Sequence, residues 1–228
     1  MKISVVIPAY NEEKTISRCL DSIVNQLEKP DEIIVVDNNS LDKTAKIAEK
    51  YPNVKIIKEK RQGIAHARNA GFNKATGDIL ARCDADSIIP KNWLKQIKKD
   101  FESDGQTIAV TPDFHLFDMA IVKNSLLPAK IFFTISKLII KMPSLIGPAM
   151  AIRKSAWEKV KNDVCVKDAD VHEDIDLTIH LSKFGKIYLD HQILINMSAR
   201  RIKFNPVSFF GEYPWILIKM LHSHRHLF

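Results

Sequence analysis

The chain has 228 residues, 46% hydrophobic and 27% charged, values of an ordinary globular domain that exclude disordered and fibrous classes. A formal charge of +7 suits an anionic partner, either phosphorylated substrates or an acidic membrane surface, while the lack of a basic motif with interleaved aromatics argues against nucleic acid. Cys19, Cys83 and Cys165 are odd in number and far apart, so they read as small buried residues of a reducing compartment rather than a disulfide or zinc framework.

In chain order, Ile3 to Pro8 is a buried strand, and Glu12 to Leu27 follows with helical spacing of Ile16, Leu20, Ile23 and Leu27. The start of the chain runs straight into that strand, which predicts no secretory leader. Asp31 to Asp37 is a second strand, and Ser40 and Asp42 offer caps for a helix that reaches Tyr51 and is stopped by Pro52. A third strand spans Val54 to Ile57, a third helix Gly63 to Ala75, and a fourth strand Gly77 to Cys83, after which Pro90 opens a helix. Thr107 to Val110 and Gly147 to Ile152 read as strands, separated by an apolar and basic stretch from Phe117 to Lys141. Glu173 to Phe184 reads as a helix, and Ile187 to Leu189 and Ile193 to Met197 as two short strands. Near-continuous Val/Ile runs between helices predict an α/β fold, a mostly parallel central sheet with helices on both faces. In such sheets ligands bind outside the carboxyl ends of the strands.

Two carboxylates, Asp84 and Asp86, stand i, i+2 where the fourth strand ends. That is how a hard divalent cation is held, by one or two carboxylates plus substrate phosphates. Asp37 stands at another strand end. Glu173, Asp174 and Asp176 open a helix, where acidic groups complement the helix dipole. The alternating His222, His224 and His226 have the look of a metal-binding tract, but a frayed terminus accounts for them more simply.

Five segments occur in order: Val6-Ile7-Pro8-Ala9-Tyr10-Asn11-Glu12-Glu13, Val36-Asp37-Asn38-Asn39-Ser40, Ala67-Arg68-Asn69-Ala70-Gly71, Cys83-Asp84-Ala85-Asp86 and His172-Glu173-Asp174. This set resembles the family 2 glycosyltransferases of GT-A (Rossmann-like) fold over roughly residues 1 to 200. The resemblance implies an inverting transferase that moves a sugar from a nucleoside-diphosphate sugar, a UDP-sugar before GDP-mannose, to a hydroxyl or lipid-phosphate acceptor. It implies a donor site lined by Pro8, Ala9, Tyr10, Glu12, Asp37, Arg68, Asp84, Ala85 and Asp86, with Arg68 near the diphosphate. By the same resemblance Mn²⁺ or Mg²⁺ sits on Asp86 and Asp84, with His191 as a candidate third ligand. Asp174, preceded by Glu173, is then the catalytic base. Gly147 falls in the acceptor pocket, and Arg200 and Arg201 pair with phosphates.

Asp-Asn-Asn-Ser replaces the Asp-and-Gly version of the nucleotide motif common in relatives, which leaves the base open, and the Gln-x-x-Arg-Trp motif of polymerising synthases is absent. Residues 1–205 are read as the GT-A domain and 206–228 as an amphipathic basic tail packed on the domain or on a membrane surface. Leu126 to Ile140 is broken by Pro128, Lys130 and Lys137, so no span crosses a bilayer. The expected location is cytoplasmic, with peripheral contact on the cytoplasmic membrane face. The alternative from another class is a non-catalytic module that binds a nucleotide-sugar or a membrane surface.

Overall fold

The computed structural model describes residues 1–116, 119, 122, 125–167, 171–197 and 211–224. Seven strands form one sheet among them: β1 Ile3–Ala9, β2 Glu32–Asp37, β3 Val54–Lys58, β4 Ile79–Cys83, β5 Thr107–Leu116, β6 Ala149–Arg153 and β7 Lys186–Met197. The helices are α1 Ile16–Val24, α2 Thr44–Ala48, α3 Ile64–Lys74, α4 Trp93–Ser103, α5 Leu127–Ile140, α6 Lys154–Val160, α7 Glu173–Leu181 and α8 Tyr213–Ser223.

The strand order is β3-β2-β1-β4-β6-β5-β7, parallel except where β6 runs against β4 and β5. Every residue of β1 and β4 is buried, because both faces of the sheet are covered. Successive side chains alternate between those faces. Val5 and Ile7 join Ile16, Leu20, Ile23, Trp93 and Ile97 under α1 and α4, whereas Val6 and Val36 join Phe72, Trp157 and Leu177 under α3, α6 and α7. Helix α3 sits close on the second face because Gly71 lacks a Cβ. One built there would lie 2.2 Å from Val6 Cγ1 and 2.9 Å from Val36 Cγ2.

The chain leaves β1 towards β2 and β3 and later returns to the other side of β1 as β4. The carboxyl ends of β1, β2 and β4 therefore meet at the crossover where α/β sheets bind ligands. Two loops interlock there. Asn11 N–H donates to Ser40 Oγ at 3.1 Å, Leu41 N–H to Asn11 Oδ1 at 2.8 Å, and Glu12 N–H to Thr44 Oγ1 at 2.7 Å. Asn11 and Asn39 hold φ of 54° and 64°, a region that asparagine tolerates better than most residues.

The expected mostly parallel α/β sheet is what the structure has. The two short strands expected at Ile187–Leu189 and Ile193–Met197 are one strand, β7, bent by a register shift opposite Pro112 and Asp113. Asp190 Oδ1 accepts Gln192 N–H at 2.7 Å inside that bulge, so the polar Asp190-His191-Gln192 run that suggested a break is a kink within a continuous strand. The expected Phe117–Lys141 stretch lies partly outside the described residues, and its described part contains α5. No helix among the described residues is long and apolar enough to cross a membrane. The 205/206 boundary also falls outside them. Helix α8 packs by Met220 against Ile140 of α5 and Ile179 of α7.

Candidate active site

The acidic pair Glu173-Asp174 opens α7 directly beneath the end of β4, and a buried network ties the two elements together. Glu173 Oε2 accepts from Arg68 Nη1 and Glu173 Oε1 from Arg82 Nη1, while Arg68 Nη1 also donates to the Glu173 carbonyl at 2.7 Å. Arg82 Nη2 continues to Asp84 Oδ1 at 2.8 Å. Both guanidinium side chains are essentially unexposed, at 0% and 1%. Burial favours the neutral acid, but Arg82 and then Arg68 overcome it and hold the Glu173 carboxyl below its ordinary range.

Asp174 differs. It is half-buried, and both its oxygens are oriented by backbone: Oδ1 accepts Ile175 N–H at 2.9 Å and Oδ2 accepts Gly147 N–H at 3.1 Å. Desolvation, then the adjacent Glu173 charge, raise its pKa, with Arg82 opposing. A carboxylate with a raised pKa, fixed in orientation and partly open, is equipped to take a proton.

Gly147 is confined by the same network, since a Cβ there would stand 3.2 Å from Arg82 Nη2 and 3.5 Å from Glu173 Oε1. Asp84 and Asp86 are half-buried in the turn after β4, where Ser87 N–H donates to the Asp84 carbonyl at 3.0 Å. Their oxygens are the donor type that Mg²⁺ and Mn²⁺ prefer, and they stand at the ligand-binding edge of the sheet, so the pair fits such an ion. Asp37 is 6% exposed, and its Oδ1 accepts Ser40 N–H at 3.1 Å. Pro8 and Ala9 end β1 in register with Val36 and Asp37, and Tyr10 stands 48% exposed just beyond. Glu12 turns towards its own helix, accepting Thr15 Oγ1 at 2.6 Å, and Ala85 is buried.

Several expected residues fall elsewhere. Arg68 does not face an open cleft; its guanidinium is committed to Glu173 beneath the site. His191 is three strands from β4, roughly 14 Å at the usual strand spacing. Its Nδ1 lies 2.7 Å from Asp113 Oδ2, so the structure does not bring it to Asp84 and Asp86. Arg200 and Arg201 lie outside the described residues. Sequence reasoning passed over Arg82, although a charged residue inside the apolar run Ile79-Leu80-Ala81-Arg82-Cys83 was a signal that it has a buried partner. Asn38, 3% exposed, was also missed. Its Nδ2 donates to the carbonyls of Glu59 and Arg61, and its Oδ1 accepts Gly63 N–H, pinning the loop before α3 to the end of β2.

The sheet order, the reversed β6 and the acidic residues at its carboxyl edge define a GT-A glycosyltransferase fold. The chain belongs to glycosyl transferase family 2, whose profile matches residues 4–161. It is 32% identical over 133 residues to the cholesterol galactosyltransferase of Borreliella burgdorferi, covering 56% of this chain and 37% of that protein. It is 31% identical over 206 residues to the probable glycosyltransferase YdaM of Bacillus subtilis, covering 81% and 47%. The chain thus spans less than half of either relative. Its fold superposes with a TM-score of 0.77 on the mannosyltransferase PcManGT of Pyrobaculum calidifontis, solved with GDP-Man and Mn²⁺. That match covers 99% of this chain and 64% of the other at 22% identity.

Proposed function

We propose that this chain transfers a sugar from a nucleoside-diphosphate sugar, a UDP-sugar or GDP-mannose, with inversion at the anomeric carbon. The observation that carries the reading is Asp174, oriented through both oxygens, with a raised pKa and a partly open face. Asp174 accepts the proton of an acceptor hydroxyl while the hydroxyl oxygen attacks the anomeric carbon opposite the diphosphate. The bond from that carbon to the diphosphate oxygen breaks, and the electron pair leaves with the diphosphate. Asp84 and Asp86 are the residues that would hold a divalent cation, Mn²⁺ or Mg²⁺, which would supply neutralising charge at the diphosphate. Glu173 is a positioning residue, clamped by Arg68 and Arg82. Tyr10 and Asp37 line the base and ribose.

A second reading concerns the acceptor. Leu127, Ile131, Ile135 and Leu138 stand 55%, 51%, 48% and 78% exposed along one side of α5, with Lys130, Lys137 and Lys141 nearby, and Trp215 and Ile218 are exposed on the adjoining α8. An apolar helix face beside lysines suits the surface of an anionic bilayer and a lipid-linked acceptor. The relative named for galactosylating cholesterol is consistent with such an acceptor.

The test is thermal unfolding with UDP, GDP, dTDP and CDP, each with Mn²⁺ and with EDTA. A ligand at about 100 times its Kd adds about 2.7 kcal/mol of stability. One nucleotide should raise the midpoint in a metal-dependent way. No shift with any of them would leave the non-catalytic membrane-binding module as the better description.

A further inference from the structure

On the side of α7 away from Asp174, the donor side chains of Cys165, Asp176 and His224 converge beside His180, with no role in sugar transfer. Asp176 is fully buried, and its Oδ2 accepts Cys165 N–H at 2.9 Å from the loop after α6. Its Oδ1 has no hydrogen bond, yet lies 3.1 Å from His224 Nε2 and 3.6 Å from His180 Nε2. His180 Nε2 is itself without a hydrogen bond, in a residue only 8% exposed. Cys165 Sγ is 3.9 Å from His224 Nε2, and ligand atoms of Cys165, Asp176 and His224 lie within 4.8 Å of one another.

His224 Nδ1 lies 2.8 Å from the Met220 carbonyl, which can only accept, so Nδ1 is the donor there and Nε2 is the ring atom turned towards Asp176. The donors whose ligand atoms lie within 4.8 Å of one another are a sulfur, an oxygen and a nitrogen from three residues. A tetrahedral zinc site with bonds of about 2.0–2.3 Å has edges of roughly 3.3–3.6 Å, and the separations of 3.1 Å between Asp176 and His224 and 3.9 Å between Cys165 and His224 fall within a few tenths of that range. The Nδ1 contact to a backbone carbonyl is also how a metal-bound histidine is usually oriented. Thiolate and imidazole select zinc-class ions over Mg²⁺ or Mn²⁺, which separates this cluster chemically from Asp84 and Asp86.

We infer that Cys165, Asp176 and His224 bind one zinc-class transition ion, with His180 standing beside Asp176, and that the ion clasps α8 and the 165 loop onto the helix that carries Asp174. His224 is therefore not part of a frayed terminus but the end of a buried clasp.

Cobalt(II) titration of the chelator-stripped full chain tests this. The expected result is one equivalent bound with a thiolate-to-cobalt charge-transfer band and the intense visible bands of a tetrahedral site. Cys165→Ser, a one-atom change that leaves the fold in place, should abolish the charge-transfer band. His224→Ala should weaken Zn²⁺ binding, read by competition with a chromophoric chelator, by on the order of a hundredfold. Asp86→Asn should leave the band unchanged, because the donor site has no thiolate. Absence of the band at stoichiometric cobalt, or full-affinity binding by His224→Ala, would overturn the inference and leave a plain imidazolium–carboxylate contact at Asp176.

Discussion

Replacing Glu173 by Gln tests whether the acidic helix is held by charge or merely by shape. The Glu173 carboxylate accepts from Arg68 through one oxygen and from Arg82 through the other, with both guanidinium groups out of water. An amide of the same size accepts from only one of them and turns its own N–H₂ towards the other, so a hydrogen bond is lost and two donors oppose each other. The charge is lost as well, leaving Arg68 buried with only the Glu173 carbonyl and Asn69 Oδ1 as acceptors. Breaking a buried pair by removing one partner costs about 3–5 kcal/mol. For a chain of this size that corresponds to a fall in Tm on the order of 10 °C. The pH dependence follows from the sign of the shift. Glu173 is held below its ordinary value of 4.5, so its contribution is present above that pH and is lost as pH falls through the folded value. Calorimetric melting of both proteins from pH 3 to 8 should therefore show a gap that is widest near neutrality and narrows in acid. A Tm within about 2 °C of the wild type at pH 7 would show that the two arginines do not depend on the Glu173 charge.

Gly71→Ala places a methyl where Val6 and Val36 already stand, so urea unfolding should show a loss of about 2–3 kcal/mol. An unchanged midpoint would mean that α3 packs less closely on β1 than described. Asp100 on α4 faces Asp190 of β7, and burial together with the Asp190 charge pushes its pKa up to about 7. The folded state thus keeps a proton that the unfolded chain releases near 3.8; stability is lost as pH rises between those values. Asp100→Asn, neutral throughout, should gain about 2 kcal/mol over wild type above pH 7 after allowance for solvent screening, with the gain vanishing below pH 4. A gain that did not vary with pH would contradict the raised Asp100 pKa.

Much of this was legible in the chain. Strands β1, β2 and β4 were readable because both their faces are buried, which forces apolar runs that no helix period explains. The ends of those strands pointed to Asp37, Asp84 and Asp86 as candidates, whereas Tyr10 entered only through the family resemblance. Where a residue's meaning depends on a partner far along the chain, the sequence was mute. Arg68 carries the same letters whether it meets a phosphate or Glu173, 105 positions away, and only the fold shows the latter. His191 looked available because its pairing with Asp113 is set by the register of β7 on β5, which no local pattern encodes. Cys165, Asp176, His180 and His224 are scattered over three segments, and nothing in their spacing announces a cluster.

Asp174→Asn asks whether Asp174 is the base. Donor binding is measured by calorimetry and turnover by release of nucleoside diphosphate, with water as the slow acceptor. Donor affinity should be unchanged and turnover lower by at least about a hundredfold. Turnover at the wild-type rate in a variant that still binds the donor would contradict it.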